Sequence, residues 1–263
     1  MHSKILLLFY IVVCLSCNNR SSYTGINHTG SLPGNTVTTA DINPYTRLDK
    51  IPLPAGFERI ATAKNSFAKW LASMKLKKDK TVYLFNGTPK QNQSAQFAVL
   101  DISVGNTDLQ QCADAVMRLR AEYLFANRQY SSIRFADNDG GVYQYHEPYD
   151  YNNLQVYLKR VFGMCGSASL AKQLNNKPFN NIEAGDVFIK GGFPGHAVIV
   201  MDVAIKGMGK KIFLLAQSYM PAQDIHLLLN PSNHSLSPWY EVNEEATIET
   251  PEYTFTRHQL KGW

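Results

Sequence analysis

Apolar residues predominate in residues 184–204, on both sides of a turn rich in glycine and proline. A β-branched segment before the turn predicts one strand. A second strand begins at His196 and continues through Val198, Ile199 and Val200. We therefore predict a β-hairpin with one titratable imidazole at the end of a strand whose other side chains are suited to burial.

A further apolar strand is predicted from Lys211 to Ala216, after the turn at 206–209. The connecting loop fixes antiparallel register, so His196 should lie opposite a residue within 217–219. We therefore expect polar neighbours for His196 on the adjacent strand.

The strongest helical pattern follows Asp108. We predict that Asp108 caps this helix, with Gln111 in the capping-box position and Cys112 on the buried face about one turn inside. Arg118 and Glu122 are expected on its solvated face. Shorter helices are predicted after Ser66, at 154–162 and at 167–174, and strands at 81–85, 96–104, 133–135 and 142–145. These elements predict an α+β fold, in which helices pack on one antiparallel sheet.

The N-terminus has the pattern of a secretory signal, because Lys4 precedes an apolar run at 5–15 that is too short to span a bilayer. Leu15, Ser16 and Cys17 resemble a bacterial lipoprotein processing site, which implies lipidation of Cys17. Ordinary cleavage slightly later is the alternative. We predict a signal peptide at 1–16, a tether at 17–43 rich in Ser, Asn, Thr and Gly, and a single domain at 44–263. The tether lacks the acidic run that resembles surface-export signals, so we expect an outer-membrane anchor facing the periplasm.

Composition narrows the function classes. The net charge is only +5 and the basic residues are scattered, so we expect no nucleic-acid partner. We find no metal-ligand spacing and no phosphate-binding loop, so neither a metal nor another cofactor is predicted. Besides Cys14 and Cys17, the chain has two cysteines, Cys112 and Cys165. In an oxidising compartment they could form a disulfide, or one could be a reactive thiol.

Three long stretches, at 108–124, 185–200 and 215–226, resemble an uncharacterised lipoprotein family of Bacteroidota, domain of unknown function 4846. This resemblance covers most of the domain and implies no reaction.

A second resemblance concerns chemistry. Gly185-Asp186, an apolar strand, a glycine turn, and Gly195-His196 before four apolar residues are similar to the histidine hairpin of papain-like, NlpC-type cysteine hydrolases. The resemblance implies a papain-like core with a thiolate nucleophile at a helix N-terminus, His196 as base and Gln217 as orienting residue. Ser218 and Tyr219 are the alternates to Gln217.

The nucleophile stays open between two cysteines. Cys112 lies near a helix start, and Cys165 precedes small residues at another helix start but is close in sequence to the histidine strand. Spacing favours Cys112. Each residue also has a purely structural interpretation. His196 could form hydrogen bonds only with backbone groups at a strand edge, and Cys112 could be a small buried hydrophobic residue. His226 could line the same pocket or only close a loop.

The resulting expectation is a membrane-tethered hydrolase of peptide or amide bonds, with cell-wall peptides as the substrate suggested by compartment and analogy. The alternative is a non-catalytic lipoprotein that holds a peptide or glycan in the same pocket.

Overall fold

The computed structural model describes residues 42–207 and 209–263, which belong to one compact unit. The predicted signal peptide, the lipidation site Cys17 and nearly all of the tether lie outside the described residues. Within them, no helix has the length and apolar character needed to cross a membrane.

The helices are α1 (Phe67–Ala72), α2 (Cys112–Ala126), α3 (Tyr151–Met164) and α4 (Ser167–Gln173). The strands are β1 (Glu58–Arg59), β2 (Gln96–Val99), β3 (Arg134–Ala136), β4 (Val142–Gln144), β5 (Asn175–Asn176), β6 (Val187–Lys190), β7 (His196–Lys206), β8 (Lys210–Gln217), β9 (His226–Leu228), β10 (Tyr240–Glu241), β11 (Thr247–Glu249), β12 (Thr254–Thr256) and β13 (Leu260–Gly262).

Nine of these strands form one sheet, in the order β2-β9-β8-β7-β6-β13-β5, with β1 added to β7 and β10 added to β8. Every pair in it is antiparallel. The pairs β3–β4 and β11–β12 form separate two-stranded sheets. The predicted α+β class, with helices packed on an antiparallel sheet, is confirmed.

Both faces of the central strands are buried. On β7, Ala197, Ile199 and Met201 belong to the core that includes the helices, whereas Val198 and Val200 belong to a second core with Phe255 of β12. Side chains alternate between the two faces of a strand. Burial on both sides therefore explains why β7 is apolar at consecutive positions rather than at every second one.

The start of α2 differs from the prediction. Gln111, not Asp108, is the N-cap, and its backbone N–H donates to Asp114 Oδ2 at 2.9 Å. The helix begins three residues later than predicted because Asp114, the third helical residue, accepts this hydrogen bond from Gln111. Cys112 therefore becomes the first helical residue instead of lying one turn inside.

The predicted solvated face of α2 is also wrong at Arg118, which is only 6% exposed. Its guanidinium donates to the carbonyl of Ser103 at 2.5 Å and lies 3.4 Å from Glu122. A loop that packs over the helix buries this pair, and helical periodicity alone cannot reveal such a loop.

Other predicted elements are confirmed in part. Ser66 caps α1 by accepting from the Lys69 N–H at 3.2 Å, and the helices at 154–162 and 167–174 correspond to α3 and α4. The strand predicted at 81–85 forms only isolated bridges, and the strand at 96–104 ends at Val99.

Candidate functional site

The turn between β6 and β7 sets the position of His196. A Cβ atom at Gly195 would meet Ser167 Oγ at the start of α4, and would lie 2.6 Å from the Lys190 carbonyl oxygen. No side chain fits in that space, so glycine is required immediately before the histidine. The close approach fixes the first residue of β7 against α4 and the turn.

His196 lies at the centre of a buried polar and aromatic cluster. It is 2% exposed, and its Nε2 lies 2.9 Å from Gln217 Oε1. The rings of Tyr219, Tyr253 and Phe255 have centroids 4.6, 4.9 and 5.8 Å from the imidazole centroid. The pairing of β7 with β8 ends at Ile199 opposite Ala216, and the side chain of the next residue of β8, Gln217, reaches the His196 ring. The predicted polar neighbour within 217–219 is therefore confirmed.

Burial lowers the pKa of His196 from 6.5 to about 4, against the opposing effects of the Gln217 hydrogen bond and the Glu252 charge. The imidazole is therefore neutral at pH 7. An amide oxygen can only accept, so Nε2 carries the proton and donates to Gln217 Oε1. The other ring nitrogen, Nδ1, is then unprotonated.

Two further groups hold the Gln217 amide. Gln217 Nε2 donates to Glu252 Oε2 at 2.7 Å and lies 3.4 Å from His226 Nε2. His226 is fully buried, and its Nδ1 donates to the Asp224 carbonyl at 2.9 Å, so its Nε2 is an acceptor. Both amide hydrogens of Gln217 thus have acceptors, and its oxygen faces His196.

Glu252 is itself held by two donors. Lys90 Nζ donates to its Oε2 at 2.5 Å and Asn92 Nδ2 donates to its Oε1 at 3.0 Å. The Lys90 and Glu252 side chains are only 9% and 14% exposed. Lys90 and Asn92 lie 162 and 160 positions before Glu252, and none of the three belongs to a local motif, so the sequence did not predict them as part of the site.

Cys112 begins α2 and packs, partly buried, against the core that includes the helices. Burial and the Asp114 charge raise the pKa of its thiol, while the backbone N–H groups of Ala197, Ala113 and Cys112 itself act in the opposite direction. Because the Ala197 N–H acts on it, the thiol faces the peptide bond between His196 and Ala197. Because its pKa is raised, the thiol is protonated at pH 7.

Strand alternation separates the two predicted reactive groups. Ala197 faces α2, whereas His196 shares the opposite face with Phe255. Among the described residues, the only side chain hydrogen-bonded to the His196 ring is Gln217. No hydrogen bond joins Cys112 to the imidazole in the part of the chain that the structure describes, and the ring that lies beside the imidazole there is Tyr219, with centroids 4.6 Å apart.

Asp114 is a buried carboxyl two residues after Cys112, in the first turn of α2. Its Oδ2 accepts from the Gln111 N–H, but within the described part of the chain its Oδ1 has no hydrogen-bond partner. Burial raises its pKa to about 8, so Asp114 is mainly protonated at pH 7. The Cys112 thiol consequently has a largely neutral neighbour under ordinary conditions.

The alternates occupy different surroundings. Cys165 ends α3, and burial raises the pKa of its thiol to about 11. Cys112 and Cys165 are both free, so the alternative of a disulfide between them does not apply. The Ser218 hydroxyl lies 3.0 and 2.8 Å from the carbonyls of Gln110 and Gln223, not at the His196 ring. Tyr219 lies at the imidazole but contacts it through its ring.

Over residues 42–207 and 209–263, no group of three or more His, Cys, Asp or Glu side chains is arranged to hold a metal ion. Comparison with known families matches residues 48–150 and 142–262 to the family described as Domain of unknown function (4846). No curated protein and no solved structure matches the chain.

Proposed function

Because the chain belongs to the family described as Domain of unknown function (4846), which names no reaction, we propose its function from the side chains around His196. We propose a lipid-anchored cell-envelope hydrolase of peptide or amide bonds, with Cys112 as nucleophile, His196 as base and Gln217 as orienting residue. Peptides of the cell wall are the proposed substrate class, which rests on compartment and on the resemblance to papain-like, NlpC-type enzymes.

One observation carries the proposal: the hydrogen bond between His196 Nε2 and Gln217 Oε1. It commits one ring nitrogen to an acceptor and leaves Nδ1 unprotonated, which is the state that a general base requires. Cys112 supports the proposal, because it occupies the first position of a 15-residue helix and its thiol faces backbone N–H groups. A helix N-terminus stabilises a developing thiolate.

The proposed reaction starts with both groups neutral. As the sulfur attacks the amide carbonyl, its proton moves to His196 Nδ1, and the carbonyl electron pair moves to the oxygen. The N–H groups of Cys112 and Ala113 lie in the first turn of α2, where no helical carbonyl reaches them, so they can donate to that oxygen. His196 then protonates the leaving amine, and water hydrolyses the thioester to give the acid and the free thiol.

The Cys112 thiol packs on the α2 side of β7, whereas the His196 ring lies on the opposite side with Phe255, so the scheme requires the two groups to come together when substrate binds. Catalytic hydrogen bonds often form or tighten only in the substrate complex. Substrate binding in the proposed enzyme therefore includes a rotation of one of the two side chains.

The test is digestion of purified peptidoglycan by the protein and by three variants. We expect Cys112→Ala and His196→Ala to abolish release of soluble fragments, and Cys165→Ala, the matched thiol control, to retain it. Release that persists in Cys112→Ala would remove Cys112 as the nucleophile. No release by the unaltered protein, with peptide amides also left intact, would overturn the hydrolase.

A non-catalytic ligand-binding protein is the second candidate. One observation favours it: a separate cavity of about 450 Å³ is lined by Trp70, Tyr151 and Phe162 beside the buried Arg118. Aromatic side chains with a few polar groups suit a peptide or a glycan. Under this proposal peptidoglycan fragments bind equally to the unaltered protein and to Cys112→Ala, without turnover, and Trp70→Ala weakens that binding.

The anchor is tested separately. Lipidation at Cys17 predicts that labelled fatty acid is incorporated into the chain and that the chain sediments with membranes. Cys17→Ala should lose the label and prevent lipid-dependent sedimentation. Label that remains in Cys17→Ala would refute this part of the proposal.

A further inference from the structure

We propose that Glu252 is a positioning residue, which sets the tautomer of His196 through the Gln217 amide. The role deepens the proposed function and depends on it for its catalytic meaning, since only a base needs one particular ring nitrogen free. The tautomer itself can be measured whether or not the protein hydrolyses anything.

The amide of Gln217 has two orientations, and only one of them suits His196 as a base. With Oε1 toward His196, Nε2 of the imidazole carries the proton and Nδ1 is free. With the amide reversed, its NH₂ group would face His196 Nε2, and the ring would have to keep its proton on Nδ1. The orientation of one buried amide therefore decides which nitrogen is available.

Glu252 distinguishes the two orientations. Its Oε2 accepts from Gln217 Nε2 at 2.7 Å and also from Lys90 at 2.5 Å. A carboxylate can only accept, so a reversed amide would place two oxygens against each other in a buried site. The acceptor Nε2 of His226, 3.4 Å from the amide nitrogen, favours the same orientation.

The buried ammonium of Lys90 requires an acceptor, which the Glu252 carboxylate provides. The Lys90 side chain is only 9% exposed, and its ammonium pairs with Glu252 in the part of the chain that the structure describes. Lys90 and Gln217 share Glu252 Oε2, so without the carboxylate the ammonium would favour the amide orientation that turns Gln217 Oε1 toward it and away from His196. Loss of Glu252 should therefore reverse the amide, whereas Glu252→Gln still offers one oxygen to Lys90 and Gln217.

The hairpin β11–β12 carries both Glu252 and the aromatic residues that pack against His196. Glu252 lies in its turn, and Tyr253 and Phe255 follow it and pack against the His196 ring at 4.9 and 5.8 Å. Glu249 is a second carboxylate on the same hairpin, but it is exposed and accepts from Thr254. Glu249→Ala is thus a matched control for any general effect of changing this hairpin.

The experiment measures side-chain nitrogen–proton correlations of histidine in the ¹⁵N-histidine-labelled protein at pH 7, with His196 and His226 assigned from Asn variants at each position. We expect the Nε2–H form for His196 and the Nδ1–H form for His226. Glu252→Met, which preserves side-chain volume, should lose the Nε2–H signature of His196. Glu252→Gln and Glu249→Ala should retain it, and thermal unfolding should show that each variant is folded.

The outcomes separate the two proposals. An unchanged His196 tautomer in folded Glu252→Met, or an Nδ1–H form in the unaltered protein, overturns the positioning role. If Glu252→Met does not fold, loss of the signature in Glu252→Asp, whose shorter carboxylate cannot reach both Lys90 and Gln217, supports the role, and retention overturns it. A tautomer that follows Glu252 while peptidoglycan and peptide amides stay intact supports the positioning role and rejects the hydrolase.

Discussion

Replacing His226 with asparagine should change how the stability of the protein depends on pH. His226 is fully buried, donates from Nδ1 to the Asp224 carbonyl and accepts near Gln217. Burial, followed by the Lys90 charge, lowers its pKa from 6.5 to about 4. The unfolded chain therefore binds a proton below pH 6.5 that the folded protein does not bind until about pH 4.

The magnitude follows from this difference in pKa. Stability is complete above pH 6.5 and is lost as the pH falls toward 4, because protons bind to the unfolded state first. Between pH 7 and pH 5, one such histidine removes roughly 2 kcal/mol from the free energy of unfolding. Asparagine does not titrate, so His226→Asn should lack this loss, although lost packing and the orphaned Gln217 N–H lower its stability at every pH.

The assay is urea unfolding of both proteins at pH 7, 6 and 5. We expect the stability gap between the unaltered protein and His226→Asn to narrow by about 2 kcal/mol from pH 7 to pH 5. Asp114 produces an opposite trend, since its raised pKa adds stability as pH falls, but it is present in both proteins and cancels from the comparison. A gap that stays constant over this range would show that His226 is not held neutral by burial.

Three other experiments test separate parts of the structure. Asp114→Asn should abolish the decline in the free energy of unfolding between pH 6 and pH 9, because the folded carboxyl keeps its proton up to about pH 8. Urea unfolding at a series of pH values measures this decline. Alkylation of Cys112 at pH 9 should also become faster in this variant, because the Asp114 charge raises the pKa of the Cys112 thiol. An unchanged pH profile would contradict the buried, protonated carboxyl. Gly195→Ala should lower the free energy of unfolding by about 1–3 kcal/mol, because its Cβ would overlap the Lys190 carbonyl oxygen. Gly163→Ala in α3 is the control: its Cβ meets no atom within 4 Å, so it should leave the free energy of unfolding unchanged or raise it slightly in the same urea assay. Equal effects at the two glycines would refute the close approach. Cys165, whose thiol pKa is raised to about 11, should resist alkylation at pH 8 in the folded protein and react in urea, as mass spectrometry of the modified peptide will show. Rapid labelling of native Cys165 would contradict its burial.

The local sequence pattern determined the strands that position the site. The apolar runs on either side of the glycine turn predicted the hairpin, and loop-fixed register predicted that His196 meets a polar residue at 217–219. These inferences succeeded because strand periodicity and turn length act between residues that are near in sequence. The start of α2 was misplaced by three residues because two acceptable caps, Asp108 and Gln111, lie close together, and the return hydrogen bond of Asp114 selects the second.

Tertiary structure alone decided the surroundings of His196. Glu252 and Lys90 meet although 162 residues separate them, and neither belongs to a periodic pattern or a motif. The sequence likewise contained no information about which face of β7 receives α2, because both faces are apolar. Periodicity indicates whether a side chain is buried, but not which groups surround it. The contacts of Gln217, Glu252 and Lys90 around His196 therefore depend on how the hairpin β11–β12 packs on the sheet, which only the tertiary structure shows.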